Sequence, residues 1–267
     1  MNPLRPLSVP GYRPLFAAMV LTVFAQGAWA LYLAMQTLDL GATAATLSSV
    51  VAWSGIGLLA GSLPAGVLAD RVAKKSIIVG VLTVNLAAST TTSTAAIFDA
   101  ATFWMLAVSA FVIGVSTAFF FPAYTALVPV LVGSDDLMAV NGLEGTTRPL
   151  VGQTLAPGVV GAVIGASVPA AGGYLIAGAL GLALIAALRL PAPCSAETDA
   201  EAPATSALRD LLDGFGYVAR TRWVRSSVLL AAAMGLAVTG PLDVLLPALI
   251  RSTHDNGPAV YLSLIHI

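Results

Sequence analysis

Seven long apolar runs, at about 14–36, 44–68, 77–97, 102–131, 141–167, 169–190 and 224–250, decide what this chain can become. A helix crosses a bilayer with roughly 20 apolar residues, and each run is near or above that length. In hydrocarbon every backbone N–H and C=O must find its partner within the protein, so only helices or a closed barrel can span. The alternating pattern of barrel strands is absent. The predicted fold is therefore an all-α integral membrane bundle with the lipid bilayer as its first partner. Composition agrees: 58% of the 267 residues are hydrophobic and 9% charged, whereas a soluble domain carries about 25% charged residues.

Several function classes fall away on the same evidence. A net charge of −1 supplies no basic footprint for nucleic acid. The one cysteine, Cys194, forms no internal disulfide and no cysteine-rich metal site. "AWSGIG" at 52–57 suggests an intramembrane serine hydrolase, but the two histidines, His254 and His266, follow the last full run, so no span offers a base. A phosphate-binding Gly-Lys-Ser/Thr loop is missing. The expectation is a protein that is not an enzyme, with no cofactor and no metal. The first run, preceded by Arg5 and Arg13 and containing "AWA" at 28–30, has features of a cleaved signal. It continues past that site and six further runs follow, so it is read as a span.

Basic residues orient the bundle. With the N-terminus cytoplasmic, Arg5, Arg13, Arg71, Lys74, Lys75, Arg189, Arg209, Arg220, Arg222 and Arg225 all fall inside, which is ten of twelve bases. The opposite orientation inverts the count, so the positive-inside rule selects a cytoplasmic N-terminus. The organisation expected is a six-span half over 1–190, a cytoplasmic linker over 191–223, and a further span opening a second half over 224–267. Residues 191–206 read as a disordered stretch rich in Ala, Pro and acids. Leu208, Leu211, Leu212, Phe215 and Val218 follow it at helical spacing, as in a helix lying on the membrane surface.

Polar residues inside spans are scarce and therefore informative. Arg148 would cost roughly 2.5–3.5 kcal/mol at mid-bilayer, and Glu144, four residues earlier, shares its helix face. The pair reads equally as a structural ion pair and as part of a transport path. Asp243 has no partner in its own span, and Gln26 and Asn85 are milder candidates of the same kind. Such groups also serve simply as interhelical hydrogen-bonding partners.

Charge gathers at one place between runs two and three, "GVLADRVAKK", residues 66–75. A topological anchor explains Arg71, Lys74 and Lys75, but neither Gly66 nor Asp70. Glycine permits a close helix approach, and an acid at a helix end opposes the helix dipole. The stretch resembles the loop signature of the major facilitator superfamily, Gly-x-Leu-Ala-Asp-Arg-x-Gly-Arg-Lys. Gly66, Leu68, Ala69, Asp70, Arg71 and Lys75 match it, Lys74 stands for an arginine and Ala73 for the second glycine. The resemblance implies two inverted three-helix repeats in the N-terminal six-helix bundle, followed by the first helix of a C-terminal half. It also implies a gate in which the Asp and Arg lock the cytoplasmic side. "GQTLAPGVVG", 152–161, is similar to the superfamily's antiporter signature: Gly152, Pro157 and Gly161 match, while Ala156 and Val160 replace glycines. A generic small-residue packing face would look the same. Span 2 carries a comparable "GSLPAG" at 61–66.

"FFFPAYTALVPVLVGSDDLMAVNGL", 119–143, with "RDLLDGFGYVARTRWVR" and "GPLDVLLPALIR", resembles a bacterial efflux branch that includes enterobactin-exporter-like and macrolide-efflux-like proteins. The arginine often found in span 4, four residues before a glycine, is Ala110 here, ahead of Gly114. Proton coupling through that position is therefore unsupported. The resemblance implies a transporter in the bacterial cytoplasmic membrane that exports a hydrophobic small molecule in exchange for protons. An uptake permease or a non-transporting scaffold is the alternative. The superfamily has twelve spans, and "YLSLIHI" at the end is similar to translated adapter sequence. The expectation is a truncated chain whose second half is missing.

Overall fold

The computed structural model describes residues 5–191, 214, 216–235 and 237, without the side chains of 63, 67 and 69–71. The chain divides into two compact units, Met1–Ala202 and Pro203–Ile267.

The first unit is a helical bundle. Its elements are α1 (Tyr12–Asp39), α2 (Ala44–Arg71), α3 (Lys74–Ile97), α4 (Phe103–Val132), α5 (Leu137–Pro149), a π-helical turn (Leu150–Leu155), α6 (Ala156–Ala166) and α7 (Pro169–Leu188). Together α5, the π turn and α6 form the fifth span. Six helices are long and apolar enough to cross a membrane among the described residues. In the second unit the described helix is α8 (Arg222–Met234). The predicted seventh run begins in it. Residues 236 and 238–250 of that run, and 192–213 and 215 of the linker, lie outside the described residues; they include Leu208, Leu211, Leu212 and Phe215 of the predicted surface helix, while 216–220 are helical.

Sequence sets the ends of these helices. Thr43 and Thr102 cap α2 and α4, each accepting an N–H from three residues on, Thr46 and Met105, at 3.3 Å. Gly41 supplies the left-handed residue of the α1–α2 turn, at φ +79°. At the opposite end the connection between α2 and α3 is only Val72 and Ala73. The motif expected to form a turn is therefore mostly helical: Gly66–Arg71 complete α2, and Lys74 and Lys75 open α3.

The helices pack as two related triplets. α1 packs on α7 as α4 packs on α3, and α2 packs on α4 as the fifth span packs on α1. Exchanging spans 1, 2 and 3 with spans 4, 5 and 6 maps these pairings onto themselves. Successive spans alternate in direction, so spans three apart run oppositely and the triplets are inverted repeats. Tyr12, Leu15, Tyr32, Ile78, Leu82, Leu106, Phe120, Tyr124 and Ile176 are fully buried between them.

Backbones meet at glycines in both triplets. A Cβ on Gly27 of α1 would collide with the Gly152 carbonyl, and a Cβ on Gly114 of α4 with the Ser54 carbonyl of α2. Gly57 stands as close to the Phe111 carbonyl. Small residues of this kind let membrane helices approach to van der Waals contact.

Candidate functional site

A cavity of about 350 Å³ lies between α1, α2 and α4. Gln26, Trp29 and Leu33 form one wall, Ser54 and Leu58 the second, and Ile113 and Thr117 the third. The Gln26 amide donates to Thr117 Oγ1 at 3.3 Å, and Thr117 in turn donates to the Ile113 carbonyl at 2.9 Å. Its lining holds no charged side chain. It therefore suits an apolar ligand oriented by one amide and two hydroxyls. A larger groove of about 450 Å³ between α2, α3 and α4, bordered by Leu68, Val84, Phe111 and Phe119, has scarcely any polar surface. It has little with which to orient a ligand.

Glu144 anchors a second cluster. Its Oε1 accepts from Tyr12 at 3.1 Å and from Tyr124, and its Oε2 accepts from Arg148 at 2.6 Å. The Arg148 guanidinium lies 5.0 Å from the Phe121 ring centroid and 5.4 Å from that of Tyr124. Glu144 is buried and its partners come from α1, α4 and α5, so one carboxylate joins three helices. Two phenols, a guanidinium and two ring faces offset the cost of placing these charges in a low dielectric. The spacing of Glu144 and Arg148 indicated their pairing; Tyr12 and Tyr124 gave no sign of belonging to it.

The π turn follows Arg148 directly. There Ala156 donates its N–H to the Val151 carbonyl five residues back. The Pro157 ring, set against the carbonyl of residue 153, favours a widened turn just ahead of it. Gly152 lies in the turn against α1, Ala156 is fully buried, and a Cβ on Gly161 would lie 3.3 Å from Leu31. The sequence reading takes 141–167 as one regular helix. The structure begins it at Leu137 and widens it in the middle.

At the end of the bundle where α1 starts, Lys75 donates to the Leu188 carbonyl at 3.1 Å and to that of Leu190 at 2.5 Å. It caps the last turn of α7, where free carbonyls favour a cation. Arg5 pairs with Asp136 at 3.3 Å at the same end. A Cβ on Gly66 would meet nothing within 4 Å among the described residues. Lys74 makes no ion pair among the described residues. The side chains of Asp70 and Arg71, and the whole of Asp243, lie outside the described residues. Asn85 is buried between α1 and α3, away from the larger cavity.

A bundle of inverted three-helix repeats, with an uncharged cavity between spans, defines a multi-pass membrane transporter fold. Residues 15–266 match the family model described as Major Facilitator Superfamily, and the chain belongs to that superfamily. No individual curated protein matched the sequence.

Proposed function

We propose that this transporter exports a hydrophobic small molecule by alternating access across the bacterial cytoplasmic membrane, with its N-terminus in the cytoplasm. The observation that carries the substrate class is the cavity of Gln26, Trp29, Ser54 and Thr117, which offers hydroxyls and an amide but no charge. A second six-helix half supplies the facing wall, as the superfamily's architecture implies. The efflux direction is supported by the resemblance of 119–143 to efflux proteins and of Gly152, Ala156, Pro157 and Gly161 to the antiporter signature. Protons are the proposed counter-ion. Glu144, Arg148 and Asp243 are proposed transport-path charges, and Gly66, Asp70, Arg71, Lys74 and Lys75 the gate.

Binding of brominated apolar compounds, read by quenching of Trp29, tests the cavity. Gln26→Leu should weaken quenching by a compound carrying a hydrogen-bonding group about tenfold, equivalent to about 1.4 kcal/mol. Unchanged affinity removes the cavity from the path. In cells producing the transporter, Asp70→Asn should slow efflux per inserted molecule, whereas a role in topology alone leaves the rate as in wild type. Faster entry, rather than loss, of the compound under an imposed proton gradient would mark uptake instead.

A further inference from the structure

Several buried polar atoms of the bundle have no hydrogen-bond partner among the described residues, and two of them belong to residues that line one cavity. Trp29 Nε1 of α1 and Asn85 Oδ1 of α3 are both unbonded and buried, in residues only 5% and 2% exposed. One is a donor and the other an acceptor. Both residues border a small cavity of about 10 Å³, whose remaining walls are Thr22, Ala25, Gln26, Ile113, Ile176 and Leu180. An unmade hydrogen bond to a buried group costs about 1–3 kcal/mol. Membrane interiors offer no bulk water to relieve it.

We propose that this cavity is a binding site for one ordered water molecule. Its volume is at the lower limit for a single water, about 10–15 Å³, and such a water needs two to four polar partners. It accepts from Trp29 Nε1 and donates to Asn85 Oδ1. Thr22 and Gln26 stand in the same wall as further partners. Should the Asn85 amide be turned over, the water accepts from it instead, so the site survives either orientation.

The site's position gives it a consequence. Gln26 and Trp29 line both this cavity and the larger one between α1, α2 and α4. The water therefore fixes, from behind, the two side chains that form one wall of the larger cavity. It also joins α1 to α3. None of this depends on the direction or substrate of transport.

Trp53, Trp104 and Trp223 are at least 36% exposed, so each can be changed to Phe to leave Trp29 as the sole indole. The full chain, 15N-labelled at indole and placed in nanodiscs, is then examined for a cross-peak between the Trp29 indole proton and water. The expected result is a cross-peak with slow exchange into bulk. It should be lost in Asn85→Leu, which fills the space and removes the acceptor, and kept in Asn85→Ser. No cross-peak in the parent overturns the site, as does a cross-peak that persists undiminished in Asn85→Leu. If Asn85→Leu does not fold, the parent spectrum and Asn85→Ser still decide: absence in the parent or loss in Asn85→Ser refutes it.

Discussion

The second and fifth spans occupy equivalent places in the two triplets, yet they are built differently. Each contains proline, each crosses a partner at a glycine, and among the six described spans they are the least buried, at 17% and 11% against 44–50% for the other four. Span 2 runs as one α-helix through Pro64. Span 5 opens into a π turn before Pro157. Proline alone therefore does not break a membrane helix in this bundle. The buried residues explain the rest. In span 5 they are Val140 and Glu144 on one side of the turn, and Ala156 and Val160 on the other. At about 100° per residue, Glu144 and Ala156 would point roughly 120° apart in a regular helix. The wide turn absorbs about one residue's worth of rotation and brings both onto one face. Span 5 can thus pack against α1 along its length while holding Glu144 toward Tyr12 and Tyr124.

If that account is right, the two spans respond oppositely to losing a residue. Leu59 of α2 is exposed, but Gly57 on one side and Gly61 on the other both touch α4 backbone. Deleting Leu59 rotates one contact by about 100° from the other. The expected result is loss of monodisperse protein on size-exclusion chromatography, the largest effect predicted here. A deletion variant that elutes and melts as the parent would show that span 2 has no fixed face.

The glycine crossings should come next. Gly27→Val and Gly114→Val each drive two methyl groups into backbone, where overpacking costs about 1–3 kcal/mol or more. Both should lower the melting temperature by similar amounts, because the crossings are equivalent in the two repeats. Gly66→Ala, whose Cβ meets nothing within 4 Å among the described residues, should leave the melting temperature unchanged. A lesser effect at one of the two crossing glycines would show that the repeats are not mechanically alike.

Glu144→Gln follows. The change leaves Arg148 without its counter-charge, and an uncompensated arginine costs about 2.5–3.5 kcal/mol at a span centre. Stability to heat in nanodiscs should fall by up to that much, and Glu144→Gln combined with Arg148→Gln should recover part of it. Tyr124→Phe should cost less, since one acceptor bond is lost and the ion pair remains. A double variant no better than Glu144→Gln alone would mean that the arginine does not depend on the acid.

Much of this bundle was legible because span number, order and approximate limits follow from apolar length alone. The Glu144–Arg148 pair was legible because its spacing is local. Tyr12 was not, because it meets Glu144 across 132 residues and nothing in its own neighbourhood marks it. The use of a glycine depends on what stands opposite, so Gly27 and Gly114 are not marked in the sequence as crossing points. The π turn was hidden for a related reason. A run apolar on all sides carries little periodicity, and only the tertiary positions of Glu144, Ala156 and Val160 reveal that one residue is in excess.

That excess gives the sharpest test, and the smallest expected effect. Thr154 lies in the π turn and is exposed. Deleting it should convert the wide turn to a regular α turn while keeping Glu144 and Ala156 within about 20° of one face. Gly152 stays on the near side and keeps its approach to Gly27. The span shortens by about 1.5 Å, which a bilayer accommodates at fractions of a kcal/mol per Å. The Glu144 cluster should survive, so stability should change by about 1 kcal/mol or less, read by thermal melting in nanodiscs beside the Leu59 deletion. Pro157→Ala should also be mild, because the face alignment, rather than the proline, requires the extra residue. If deleting Thr154 is as damaging as deleting Leu59, the π turn is not a register correction, and the difference between the two spans needs another cause.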